Sequence, residues 1–118
     1  MSALSLSMSS VPAHFLLAIA IVAEVLATIS LKLAEGFSKP LPLLVVGVGY
    51  LSALFLLSAV LERLPVGIVY GIWAGAGIAG VALVGVLIFE EPIGLREVAG
   101  FVLIVAGIAL LSLRPAAH

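Results

Sequence analysis

The sequence predicts an all-α membrane protein with four transmembrane helices per subunit, and three observations carry that reading. Of 118 residues, 64% are apolar and 9% charged, against about 25% charged in soluble domains. Eleven charged side chains, with no Asp among them, cannot build the polar shell a water-soluble domain of this length needs. The apolar residues also fall into four unbroken runs, each close to the roughly 20 residues required to cross a hydrocarbon layer about 30 Å thick. A β-barrel is a poor alternative, because its spans are about 10 residues of alternating polarity.

Taken in order, residues 1–12 form a Ser-rich tail that is expected to be disordered and lacks the basic n-region of a signal peptide. The transmembrane domain occupies 13–113, with spans at about 13–34, 42–61, 66–89 and 95–113, and 114–118 are a short tail. Between the first two spans, Glu35-Gly36-Phe37-Ser38-Lys39-Pro40-Leu41-Pro42 offers a Gly to end one helix and two Pro to begin the next. The link Glu62-Arg63-Leu64-Pro65 is so short that it predicts spans two and three as antiparallel neighbours, with Pro65 in the first turn of span three. In the third break, Glu90 and Glu91 lie at the negative end of span three, mildly unfavourable, while Glu97 opens span four favourably.

A net charge of −1 leaves no broad basic surface, so nucleic acid is excluded as a partner. Without Cys there is no thiol or iron–sulfur chemistry, and two His at opposite ends, 14 and 118, do not make a metal site. No cofactor and no enzymatic activity are expected. Loop charges are nearly balanced: Arg63 and Arg114 fall on one side, Lys32, Lys39 and Arg96 on the other. So weak a bias permits insertion both ways up, and with it head-to-tail pairing of two copies; the alternative is that so few charges leave the rule uninformative.

Ten of the charged residues lie at or near span ends, where Lys32 can snorkel to the interface. The other is Glu24, in the middle of span one and about 15 Å from either water phase. A carboxylate at that depth costs at least about 3 kcal/mol, and the span holds no cation to pair with it. Taking up a proton, which desolvation favours, or binding a cation from outside would each relieve the penalty. A group that holds one or the other is the minimum machinery for exchanging them across a membrane. The bland alternative is a permanently protonated Glu hydrogen-bonded to a neighbouring helix.

Helical spacing gives Glu24 a face shared with Leu17, Ala20, Ile21, Ala27 and Thr28, which are candidates for lining a site. Their small members suit either a ligand or close helix packing. Tyr70 and Trp73 fall on one face of span three, and Tyr50 lies about a third of the way along span two. Aromatic faces attract poorly hydrated cations, quaternary ammonium above all; an interfacial aromatic belt is the alternative role. Gly67, Gly71 and Gly75 form a ladder for close helix approach, and Gly75 and Gly77 mark the candidate hinge. Span four, with Gly100 and Gly107 a heptad apart and no charge beyond its ends, reads as an assembly surface. One carboxylate on four helices is too little to enclose a substrate, so a dimer with two Glu24 side chains is expected.

Ala23-Glu24-Val25 followed by Lys32, then Glu35-Gly36-Phe37, then the run from Pro65 to Gly77, resemble the small multidrug resistance family of proton-coupled exporters over about residues 13–113. The resemblance implies antiparallel homodimers, Glu24 as the shared proton and substrate site, Trp73 and Tyr70 as aromatic walls, and Tyr50 as a lining residue. It also implies a helix-four dimer contact through Gly100, Leu103 and Gly107. The EmrE-like quaternary ammonium exporters are the nearer group. Guanidinium exporters usually carry a Trp and a Gly where this chain has Ala27 and Ile21. Ala74 stands where a Ser often follows the span-three Trp, which removes one hydroxyl from the site region. Some family members work as unlike pairs, so a heterodimer stays open.

The function expected is proton-coupled antiport that exports hydrophobic and quaternary ammonium cations from a bacterial cell, with the protein multi-pass in the inner (plasma) membrane among its lipids. The alternatives are a guanidinium-type or small-metabolite exporter of the same family, or a non-transporting membrane assembly subunit. A proton-ATPase rotor subunit fits poorly, since its common form has two spans.

Overall fold

A computed structural model of the chain describes residues 10–113. The expected tails therefore lie largely outside the described residues; Ser10 to Pro12 form the turn that leads into the first helix. Four helices follow: α1 (Ala13–Leu33), α2 (Pro40–Leu61), α3 (Val66–Leu87) and α4 (Leu95–Ser112). All four are long and apolar enough to cross a membrane, and the described residues contain no strand.

The polar breaks stop the helices by local chemistry. After α1 the chain turns through three consecutive left-handed residues, Glu35, Gly36 and Phe37. Two of them are not glycine, and the turn is braced by the Glu35–Lys39 ion pair at 2.8 Å and by Ser38 Oγ donating to the Glu35 carbonyl at 2.8 Å. Helix α2 starts at Pro40, two residues earlier than expected. Pro40 and Pro42 both fit its first turn, where backbone N–H groups have no partner within the helix. Pro65 is the N-cap of α3 rather than a first-turn residue, and its carbonyl accepts from Val69 N–H at 3.0 Å. Helix α3 ends two residues early, at Leu87, where Glu90 takes a positive φ and Glu91 N–H donates back to the Gly85 carbonyl at 3.0 Å. At the start of α4 the Glu97 carboxylate accepts from Gly94 N–H at 2.8 Å, so it caps the positive end of that helix.

Packing corrects one expectation. The short link joins α2 to α3, yet these two helices touch only sparingly, while α1 packs against both. The reason is the apolar cluster at the linked end: Leu16 and Leu17 of α1 wedge between Leu57 and Val60 of α2 and Val69 and Ile72 of α3. Arg63 in the link also donates to the Val11 carbonyl at 2.5 Å, which ties the link to the start of α1. Along α1, Gly49 of α2 lets the backbones close up; a Cβ there would stand 2.8 Å from Ala27 Cβ.

Helix α4 packs chiefly on α3 and buries none of its residues. A Cβ at Gly71 would lie 3.0 Å from Leu111, and one at Gly75 3.1 Å from Ile108 and 3.2 Å from Ile104. The Gly67-Gly71-Gly75 ladder thus serves α4 at two of its rungs, while Gly67 faces open space. The result is a flattened chain of 42 × 36 × 17 Å rather than a closed bundle. Its many exposed Leu, Val and Ile side chains suit a lipid surrounding, where apolar exposure carries no penalty.

Candidate functional site

Glu24 projects from the middle of α1 and is half-buried. Its Oε1 accepts a hydrogen bond from Thr28 Oγ1, one turn along, at 3.1 Å. Thr28 Oγ1 is in turn 2.6 Å from the Tyr50 hydroxyl on α2. Thr has a single hydroxyl proton, so with that proton on the carboxylate, Tyr50 is the donor to Thr28. The three residues form a relay that orients one carboxylate oxygen. The other is different: Oε2 is buried and has no hydrogen-bond partner.

Space for Oε2 comes from Gly77 of α3, where an added Cβ would stand 2.9 Å from it. The cavity in front of the carboxylate has a volume of about 330 Å³ and is lined by Glu24, Thr28, Gly77, Ile78, Val81, Ala82 and Phe101. No cationic side chain pairs with Glu24 among the described residues. Lys32, two turns further along α1, instead pairs with Glu91 and sits 4.5 Å from the centre of the Phe89 ring. That pairing also offsets the acidic charge at the C-terminal end of α3. The site therefore holds one carboxyl oxygen without a partner, a hydrogen-bonded one beside it, and largely apolar walls.

The residues singled out in the sequence separate into groups. Glu24, Thr28 and Tyr50 are joined by hydrogen bonds, and Gly77 abuts the carboxylate. Leu17, Ala20 and Ala27 are instead buried in packing within the subunit, with Ala27 against Gly49. Ile21 is packed beside the apolar cluster. Trp73 is half-buried against that cluster, its Nε1 buried without an acceptor, and its ring centre is 5.7 Å from that of Tyr70, which is 61% exposed. Helix α3 runs unbroken through Gly75 and Gly77. Gly100 and Gly107 have nothing within 4 Å of an added Cβ, and Leu103 is 72% exposed, so this face of α4 is open.

Sequence reasoning missed Gly49 and the walls Ile78, Val81, Ala82 and Phe101. Phe101 reaches the site because α4 packs antiparallel on α3, which lays the start of α4 beside the second half of α3.

Fold and site together define a polytopic membrane protein with one acidic side chain in the middle of a span, at an incompletely enclosed cavity. The sequence profile of the family described as Small Multidrug Resistance protein matches residues 12–104, and the chain belongs to that family. It is 48% identical over 100 residues to the multidrug transporter PA4990 of Pseudomonas aeruginosa, covering 85% of this chain and 91% of the relative. The multidrug resistance protein EbrB of Bacillus licheniformis is 44% identical over 96 residues, 81% of each chain. The quaternary ammonium compound-resistance protein QacE of Escherichia coli is 41% identical over 97 residues, 82% of this chain and 88% of its own length. With four membrane-spanning helices and such bacterial relatives, this is a multi-pass membrane protein.

Proposed function

We propose that the protein is a multidrug exporter that exchanges protons for hydrophobic and quaternary ammonium cations at Glu24, working as an antiparallel homodimer. The observation that carries this reading is a mid-span carboxyl group that lines a cavity and has one oxygen buried without a hydrogen-bond partner. A carboxylate there is stabilised by a proton or by a guest cation. The relay from Tyr50 through Thr28 holds Oε1 and leaves Oε2 to exchange one for the other. Were Glu24 a merely structural acid, both oxygens would be expected to have permanent partners.

The flattened subunit supports the dimer, since a second copy is needed to close the chamber over Glu24. The open face bearing Gly100, Leu103 and Gly107 is its contact, and a paired heterodimer would use the same face. Two Glu24 carboxyls share the chamber and give up protons to admit one hydrophobic cation. Trp73, one turn before Gly77 on α3, and Tyr70 beside it supply aromatic faces. Bending at Gly75 and Gly77 opens the chamber to each side of the membrane in turn. When the protonated and cation-loaded forms are the ones that reorient, an inward proton gradient drives export. The resistance names of the relatives support the substrate class.

The test is electrogenic transport by purified protein in liposomes across a pH step, with a quaternary ammonium, guanidinium or no substrate. The quaternary ammonium should give a current in the wild type that is absent in Glu24→Gln, with guanidinium inactive. Full gradient-driven transport by the Gln variant would overturn the reading.

A further inference from the structure

A second cavity lies between α3 and α4, with a volume of about 420 Å³ and an entirely apolar lining that includes Leu83 and Val86 of α3, Val98 and Val105 of α4, and Ile93 of the link. That volume is within the range of small-molecule sites. Two residues, Ala82 and Phe101, line both this groove and the Glu24 cavity. They form the seam between an anionic compartment and an apolar one. Ala82 is small, so Phe101 is the larger of the two residues that the cavities share.

The seam exists because α3 and α4 diverge. At one end Gly71 and Gly75 bring Leu111 and Ile108 against the α3 backbone, whereas further along Ala79, Ala82 and Val86 leave a gap. The groove is not the free assembly face of α4. Val98, Phe101, Val102 and Val105 recur at helical spacing on one side, and Gly100, Leu103 and Gly107 fall on the opposite side by helical phase. A partner helix on the Gly100 face leaves the groove unfilled.

We propose that this groove receives the apolar tail of amphiphilic cations whose charged head is held at Glu24, with Phe101 as the specificity-determining residue between the two compartments. The inference rests on the proposed role of Glu24 as the cation site. Charge and shape both favour such an occupant: an anionic oxygen on one side of the seam takes the head, and a purely apolar trough on the other takes a chain. The groove is as apolar as the surrounding lipid, so it adds little driving force of its own. It permits long-tailed cations by sparing the tail from folding into the chamber, and Phe101 sets how readily the tail passes.

The experiment compares two ligands with the same head, tetramethylammonium and dodecyltrimethylammonium, the latter also as a probe with a diazirine at its tail end, on full-length protein in liposomes. In the wild type the photoprobe should label the segments around Val86 and Val98–Val105, and excess tetramethylammonium should suppress that labelling. Val86→Trp, which fills the groove, should lower the ratio of long-tailed to compact affinity at least tenfold, and Phe101→Ala should raise it. Labelling confined to α2 or to lipid would overturn the groove, which then belongs to a lipid chain or a neighbouring subunit, even if tetramethylammonium binding still requires Glu24. Tetramethylammonium binding that survives Glu24→Gln would instead sink the underlying cation site. The wild-type labelling pattern decides the matter if either variant fails to fold.

Discussion

Gly77 and Glu24 are fitted to each other across the α1–α3 contact: a methyl group at 77 would stand 2.9 Å from the carboxylate oxygen that has no other partner. The glycine is therefore the floor of the acidic site. Its absence of a side chain makes the space into which Oε2 points.

Gly77→Ala should displace the carboxylate and weaken cation binding by about tenfold, in line with roughly 1–3 kcal/mol for an added group in a filled space. Insertion and folding should persist, because Glu24 can swing aside at modest strain. Isothermal titration with a quaternary ammonium in detergent reads the effect, and unchanged affinity would separate Gly77 from the site.

Thr28 and Tyr50 should act as one unit. Thr28→Val removes the donor to Oε1 and the acceptor for Tyr50, while Tyr50→Phe removes only the outer member. A double-mutant cycle on substrate-induced proton release should give a coupling of about 0.6–1.7 kcal/mol, the usual size for hydrogen bonds between membrane helices. Strict additivity would mean that the two hydroxyls do not communicate.

Trp73→Phe tests the aromatic wall without opening a large cavity. The indole N–H has no acceptor, so its removal breaks no hydrogen bond. Thermal stability should barely move, while affinity for aromatic cations should fall severalfold because Phe is the weaker cation–π surface. A loss of stability with affinity intact would mark Trp73 as packing alone.

Gly75→Val should push α4 off α3, since even a Cβ at that position meets Ile108 at 3.1 Å and Ile104 at 3.2 Å. Destabilisation of about 1–3 kcal/mol is expected in equilibrium unfolding from mixed micelles. Gly67→Ala, facing open space, is the control and should have little effect.

Four spans were legible along the chain because crossing a hydrocarbon layer depends on local composition and length, and Glu24 stood out because a mid-span acid breaks that composition. The same logic marked the Gly ladder of span three. Which neighbour each small residue serves was not legible. Ala27 and Gly77 are both small and both lie near Glu24 in the fold, yet Ala27 is consumed by contact with Gly49 and Gly77 leaves room for Oε2. Likewise, the short link between α2 and α3 promised a broad contact, but Leu16 and Leu17 of α1 share the apolar cluster at that end and the two helices touch only sparingly.

By itself, the order of residues determined a four-helix membrane protein with one misplaced charge, since hydrophobic length and the depth of an acid along a helix are properties of a single segment. Only the tertiary structure decided that Tyr50 reaches the Thr28 hydroxyl beside that acid, that the other carboxyl oxygen lies against Gly77 without a hydrogen-bond partner, and that Phe101 lines both its cavity and an apolar groove. Those relationships join different helices, and helix phase and packing order set them, neither of which is encoded within any one span.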